Sequence, residues 1–135
     1  MKPIMRYFIV FISIISLLAS CTKPNHTPEG PTDVRIRNIT DQDFNNVIVD
    51  TGGGNHNYGD IPSGSVTPYH RFDKAYPDAE VTVFINGEEY TTEEQDYTYA
   101  TYIGPDKITY EVYISNPTLR ILEVDVIIEE PIDDK

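Results

Sequence analysis

Period-two alternation in the last third of the chain constrains the fold more than any other feature. Ile108, Tyr110, Val112 and Ile114 alternate with Thr109, Glu111 and Tyr113. After Asn116-Pro117-Thr118, Leu122, Val124, Val126 and Ile128 alternate with Glu123, Asp125 and Ile127. Side chains on a strand point to opposite faces in turn, so this pattern predicts a hairpin with one buried and one wet face. No stretch of the chain sustains the 3.6-residue spacing of an amphipathic helix.

A second hairpin is read from residues 81–92. Val81-Thr82-Val83-Phe84-Ile85 precedes Asn86-Gly87, and Glu88-Glu89-Tyr90-Thr91-Thr92 follows. Asn-Gly suits a two-residue type I′ turn, because both central residues need positive φ. That turn pairs Ile85 with Glu88 and Val83 with Tyr90, and places Val81, Val83, Ile85 and Tyr90 on the core side with Phe84 opposite. Further strands are expected at 33–37, with Val34 and Ile36 inward and Arg35 and Arg37 outward, and at 44–51, with Val47 and Val49 sharing a face. Strands are also expected at 65–72, where Pro68 marks an edge or bulge, and at 97–103. Residues 51–57, rich in glycine and asparagine, read as a long flexible loop.

Seven to eight short strands between Gly, Pro and Asn turns predict an all-β fold, a single small antiparallel β-sandwich. Ile61-Pro62-Ser63-Gly64-Ser65 resembles a turn common in immunoglobulin-like and fibronectin-type sandwiches. The Cys…Trp…Cys core of true immunoglobulin domains is absent, and a transthyretin-like or small-barrel arrangement stays open.

The N-terminus has a different character. Lys2 and Arg6 precede an apolar run over residues 7–19, which is followed by Ala19-Ser20-Cys21. This is the order of a secretory signal, and the run is short of the roughly 20 residues needed to span a bilayer. Leu18-Ala19-Ser20-Cys21 resembles a bacterial lipobox. The resemblance implies that the Cys21 thiol receives a diacylglyceryl group, that the chain is cut before Cys21 and that the new N-terminus is acylated. It also implies a cell-membrane location, lipid-anchored, through the acyl chains on Cys21. Each buried CH₂ contributes about 0.8 kcal/mol, so two or more chains anchor stably where one does not. By resemblance to the enteric lipoprotein sorting rule, Thr22 rather than Asp at the next position favours the outer membrane, if the source has one.

The chain thus divides into a cleaved signal peptide (1–20), the lipidated cysteine with a flexible tether (21–32), a β-sandwich domain (33–130) and an acidic tail (131–135). Pro24, Pro28 and Pro31 make residues 22–31 an extended spacer reaching about 30 Å at roughly 3 Å per residue. Cys21 is the only cysteine, so no intrachain disulfide can form and the fold must rest on its apolar core.

Composition narrows the function classes. Twenty-two acidic against ten basic residues give a net charge of −12, which disfavours nucleic acid and anionic surfaces. Gly52-Gly53-Gly54 lacks the Lys-Ser/Thr and helix of a phosphate loop. Asp41-Gln42-Asp43-Phe44-Asn45 begins like a calcium loop, but Asn46 and Gly52 stand where its glycine and bidentate glutamate belong. His56, His70, Asp60 and Asp73 share no metal-ligand spacing. Neither Ser63 nor Ser65 lies in a nucleophile elbow, although His70 and Asp73 exist in the chain. The sequence therefore names no catalytic residue, cofactor or metal ligand.

Tyrosines crowd the second half, and Tyr97 and Tyr99, expected on one strand face, form the candidate binding face for a protein or glycan partner. The reading is a non-enzymatic, lipid-anchored binding module of the cell envelope. The alternatives are a structural envelope or assembly subunit and a small hydrolase.

Overall fold

The computed structural model describes residues 30–132. The expected signal peptide, Cys21, most of the expected spacer and the last three residues lie outside the described residues. Eight strands follow one another: β1 (Thr32–Asn38), β2 (Phe44–Asp50), β3 (Asn55–Ile61), β4 (His70–Phe72), β5 (Glu80–Ile85), β6 (Glu88–Thr92), β7 (Asp106–Asn116) and β8 (Ile121–Pro131). There is no helix among the described residues.

All eight strands join in one sheet of order β3-β2-β5-β6-β8-β7-β1-β4, curled so that its two edges approach. The all-β expectation holds. The ladders do not divide into the two sheets of a sandwich, and the sheet is not purely antiparallel, because β1 pairs with β7 and β6 with β8 in parallel. Parallel neighbours require long crossovers. The β1–β7 pair joins Val34 to Ile108 and Ile36 to Tyr110 across most of the domain.

The edges meet through side chains. The His56 ring on β3 stacks on His70 of β4 at 3.6 Å between centroids. The Tyr58 hydroxyl donates to the Val34 carbonyl of β1 at 2.7 Å. Closing a sheet in this way removes most of the edge that would otherwise invite pairing.

The core lies inside the curl. Val34, Ile36, Phe44, Val47, Val49, Val81, Val83, Ile108, Tyr110 and Val112 are fully buried. Alternation explains most of these, but Phe44 and Val47 are three residues apart and would face opposite ways on a regular strand. A bulge resolves the conflict: Asn46 sits at φ 51° and the register shifts there against both neighbouring strands, so both side chains point inward.

The β5–β6 hairpin is built as its sequence predicts. Asn86 and Gly87 have φ of 52° and 81°, and Ile85 pairs with Glu88 and Val83 with Tyr90. Phe84 is half-buried on the other face.

Three local expectations are corrected. Residues 55–57 are not loop but the start of β3. A polar edge strand that buries little has no alternation to announce it, and the turn shrinks to the three glycines. Residues 97–103 form no strand, but belong to a long connection from β6 to β7 that packs under one end of the curl: the Ile103 N–H donates to the Ala75 carbonyl at 2.8 Å and the Thr32 hydroxyl to the Gly104 carbonyl at 2.6 Å. Ile128, which pairs with fully buried Ile108, is itself 59% exposed, because β8 runs out beyond the strands that would cover it.

The glycine turn serves close packing. A Cβ on Gly53 would stand 2.2 Å from the Lys74 carbonyl oxygen, and one on Gly52 would stand 2.7 Å from the Tyr76 ring. Gly52 also has φ of 79°. The same region is held by the Thr51 hydroxyl, which donates to the Lys74 carbonyl at 2.9 Å, and by Tyr110, whose hydroxyl donates to the Tyr76 carbonyl.

Two substitutions measure these contacts by urea unfolding. Gly53→Ala is expected to cost about 1–3 kcal/mol, because its methyl meets backbone rather than a side chain that can swing away. Tyr110→Phe is expected to cost about 1–3 kcal/mol by leaving the Tyr76 carbonyl without its donor. A neutral result for either would remove that contact from the account of stability.

Candidate functional site

Unequal strand lengths create a concavity at the β6–β8 seam. β6 is five residues long and β8 eleven. They pair only at Thr91–Ile121 and Thr92–Leu122, after which the chain at Glu93 turns away while β8 continues. A groove of about 520 Å³ opens at this fork. One wall carries Asp78, Glu93 and Gln95, the other Leu122, Glu123 and Val124. No lysine or arginine lines it, so the groove presents carboxylates beside an apolar strand. The Gln95 N–H, donating to a Glu80 carboxylate oxygen at 3.0 Å, fixes the departing chain on its rim.

The tyrosines expected to form a binding face are separated. Tyr97 turns inward and stacks on Tyr76 at 4.5 Å between centroids. Its hydroxyl is buried without a hydrogen bond of ordinary geometry. Burial, reinforced by the Glu80, Asp50 and Asp78 carboxylates, pushes that hydroxyl up to about 12. Tyr99, two residues on, is 97% exposed at a turn. The two share no strand face, because no strand is there. Their proximity in sequence carried no information about a loop that reverses between them.

The structure brings His56 and His70 together, which their sequence spacing did not indicate. Tyr58 and Phe72 meet the pair edge-on. Burial and the neighbouring His70 lower the His56 pKa. Among the described residues no group of three or more His, Cys, Asp or Glu is arranged to hold a metal. Asp60 instead accepts the Asn46 N–H at 3.0 Å and supports the β2 bulge. The acids of the residue 41–45 turn act locally: Asp43 accepts the Ser63 N–H at 2.9 Å. The Ser63 hydroxyl donates to the Thr40 carbonyl at 2.6 Å, so it is engaged with backbone rather than with a histidine. Cys21 lies outside the described residues.

A polar cluster on the outer face was not foreseen. A bulge in β8 falls at Glu129, between the pairs Lys107–Glu130 and Ile108–Ile128. It aims the Glu129 carboxylate at three donors: the Thr109 hydroxyl at 2.5 Å, Arg35 at 2.7 Å and the Tyr69 hydroxyl. The Arg35 guanidinium also lies 4.8 Å from the centre of the Tyr69 ring. Hydrogen bonds from Thr109 and Tyr69, with Arg35, hold Glu129 down at about 2. The cluster covers Thr109, which is fully buried although it faces outward. It straps the segment before β4 to the β7–β8 hairpin.

No family model matches the chain, and no curated protein does. Among solved structures, the NMR structure of a protein from Eubacterium rectale is similar at 18% identity, over 75% of this chain and 90% of that one, with a TM-score of 0.45.

The Glu129 cluster sets a pH dependence whose sign follows from its depressed pKa. Its contribution to stability is complete above the ordinary value of 4.5 and is lost as pH falls towards about 2. Glu129→Gln is therefore expected to be less stable than the parent at neutral pH, with the difference shrinking over that window. Urea midpoints at several pH values check this; a difference that stays constant down to the lowest pH would show that the carboxylate charge plays no part.

Proposed function

We propose that the protein is a lipid-anchored, non-catalytic binding module of a bacterial cell envelope. The observation that carries this reading is Leu18-Ala19-Ser20-Cys21 placed directly after the apolar run of residues 7–19. Acylation of Cys21 fixes the chain on a membrane surface, most simply the outer membrane where the cell has one. The proline-bearing spacer sets the β-domain off from the headgroups. Loss of Lys2 and Arg6 on cleavage makes the mature chain more acidic than the full chain at −12, which keeps the domain from lying on anionic lipid.

The finer architecture in this proposal is a flattened barrel with facing walls. The buried faces of β1, β2, β5 and β7 all contribute to one core cluster. This keeps the two-layer packing of a sandwich while the strands stay in one sheet. The binding surface we assign to the module is the acidic groove at the β6–β8 fork, rather than a face formed by Tyr97 and Tyr99. Tyr99 stays available as an exposed contact on its own turn.

The anchor is tested by metabolic labelling with a radioactive or clickable palmitate. The parent is expected to be labelled and membrane-bound, and Cys21→Ser to be unlabelled and released. Labelling that persists in Cys21→Ser would overturn the anchor. Protease shaving of intact and lysed cells then tells which way the domain faces: digestion on intact cells places its partner outside, and digestion only after lysis places it within the envelope.

A further inference from the structure

β8 is an interior strand by its place in the sheet, but over most of its length it behaves as an edge. Its ladder with β7 runs the whole way from Ile121 to Pro131. Its ladder with β6 ends at Leu122. Along residues 123–131, no backbone hydrogen bond among the described residues reaches its second side. The direction of the open groups follows from the fork. The Arg120 carbonyl accepts the Thr91 N–H on that side at 3.1 Å, so the alternation of the strand turns the N–H and C=O of Val124 and Val126 the same way. The register stays regular from Glu123 to Ile128 and breaks only at the Glu129 bulge. Six residues of straight, unpaired edge span about 20 Å.

Folded proteins blunt such edges with short strands, bulges or covering segments. The true ends of this sheet are so treated: β4 has three residues, and β3 is broken by register shifts. The 123–128 stretch is neither short nor bulged. It also presents apolar surface, with Val124 and Val126 half-buried, Ile127 39% exposed and Ile128 59% exposed. Exposed Glu123 and Asp125 point outward between them. The carboxylate-lined groove of about 520 Å³ lies at the start of this edge.

We propose that residues 123–128 of β8 are a strand-addition site, which takes an extended segment of another protein in which cationic and apolar side chains alternate. The inference deepens the binding-module reading and rests on it. Backbone groups of the incoming strand pair with Val124 and Val126. Its apolar side chains cover Ile128, and its cations meet Glu123, Asp125 and, at the fork, Asp78 and Glu93. Charge selects this occupant over the alternatives. A second copy would set the same carboxylate-bearing strand against itself, and like charges opposite one another destabilise a ladder. The chain's own acidic tail, with Asp133 and Asp134, meets the same repulsion. Its spacer carries three prolines, which have no N–H to give a ladder.

The test uses the chain as purified from cells in detergent and two synthetic octapeptides, one alternating lysine with valine, the other glutamate with valine. The lysine peptide is expected to bind at least ten-fold more tightly and to protect the Val124 and Val126 amides from hydrogen exchange. Val126→Pro removes one open-side donor without touching the β7 ladder, and is expected to weaken binding ten-fold or more while leaving the melting temperature within a few degrees. If that variant fails to fold, the double variant Glu123→Lys with Asp125→Lys serves instead, and is expected to transfer the preference to the glutamate peptide. Equal binding of both peptides, protection elsewhere, or unchanged preference in the double variant would overturn the proposal. So would concentration-dependent protection of Val124 and Val126 without peptide, which would identify a second copy as the occupant. These outcomes are independent of palmitate labelling at Cys21, so failure of the docking site and failure of the anchor are told apart.

Discussion

The parallel seating of β1 beside β7 is the constraint on which the rest of the structure depends. Six consecutive residue pairs, from Asp33–Lys107 to Asn38–Val112, join the first strand of the domain to its last hairpin. Val34 and Ile36 are fully buried. The other side of β1 takes the segment before β4 and β4 itself, through the Val66 bridge and the Val34–His70 pairing. β1 also receives the Tyr58 hydroxyl from β3, so it is the strand at which the curl closes. The local hairpins, β5–β6 and β7–β8, can form without it, but neither encloses a core. Because the partners are so far apart in sequence, closure carries an entropic cost that local pairing avoids.

Without a disulfide in the domain, stability falls to apolar packing and to the satisfaction of buried polar groups. Asn38 is fully buried, and its side-chain amide donates to the Gln42 and Ile61 carbonyls at 2.7 and 3.1 Å, while its oxygen accepts the Thr40 N–H at 3.0 Å. One side chain thereby ties the end of β1, the following turn and the end of β3. Buried Thr32, Thr51, Thr92 and Thr109 each have a partner as well. An unmet polar atom in a small core costs more than the net gain of a met one, and this network removes that cost at these side chains, while the Tyr97 hydroxyl is left unmet.

The groove follows from the same architecture. Strands of five and eleven residues share one seam, so the longer must outrun the shorter. The connection after β6 goes under the end of the curl, where Tyr97 stacks on Tyr76 and Ile103 bonds to Ala75, instead of running along β8. The fork, the exposure of Ile128 and the unpaired edge are thus one consequence of a length mismatch.

Local periodicity determined which stretches become strands. The alternation around Ile108 and Leu122, the Asn86-Gly87 turn and the inward Val34 and Ile36 were legible because each depends on neighbours within a few residues. Strands that bury little were not: Asn55-His56-Asn57-Tyr58-Gly59-Asp60-Ile61 has no hydrophobic rhythm and is a strand only because β2 offers it an edge. Residues 97–103 have β-forming residues but pair with no strand: Tyr97 stacks on Tyr76 and Ile103 bonds to Ala75 instead, so their tyrosines become packing and a turn. The candidate groove was invisible for the same reason, since Asp78, Glu93 and Glu123 are distant in sequence and meet only where β6 and β8 part. Which residues face inward is a local matter of side-chain direction. Which strands are neighbours, and so what lies between them, is settled by the closure of the whole sheet.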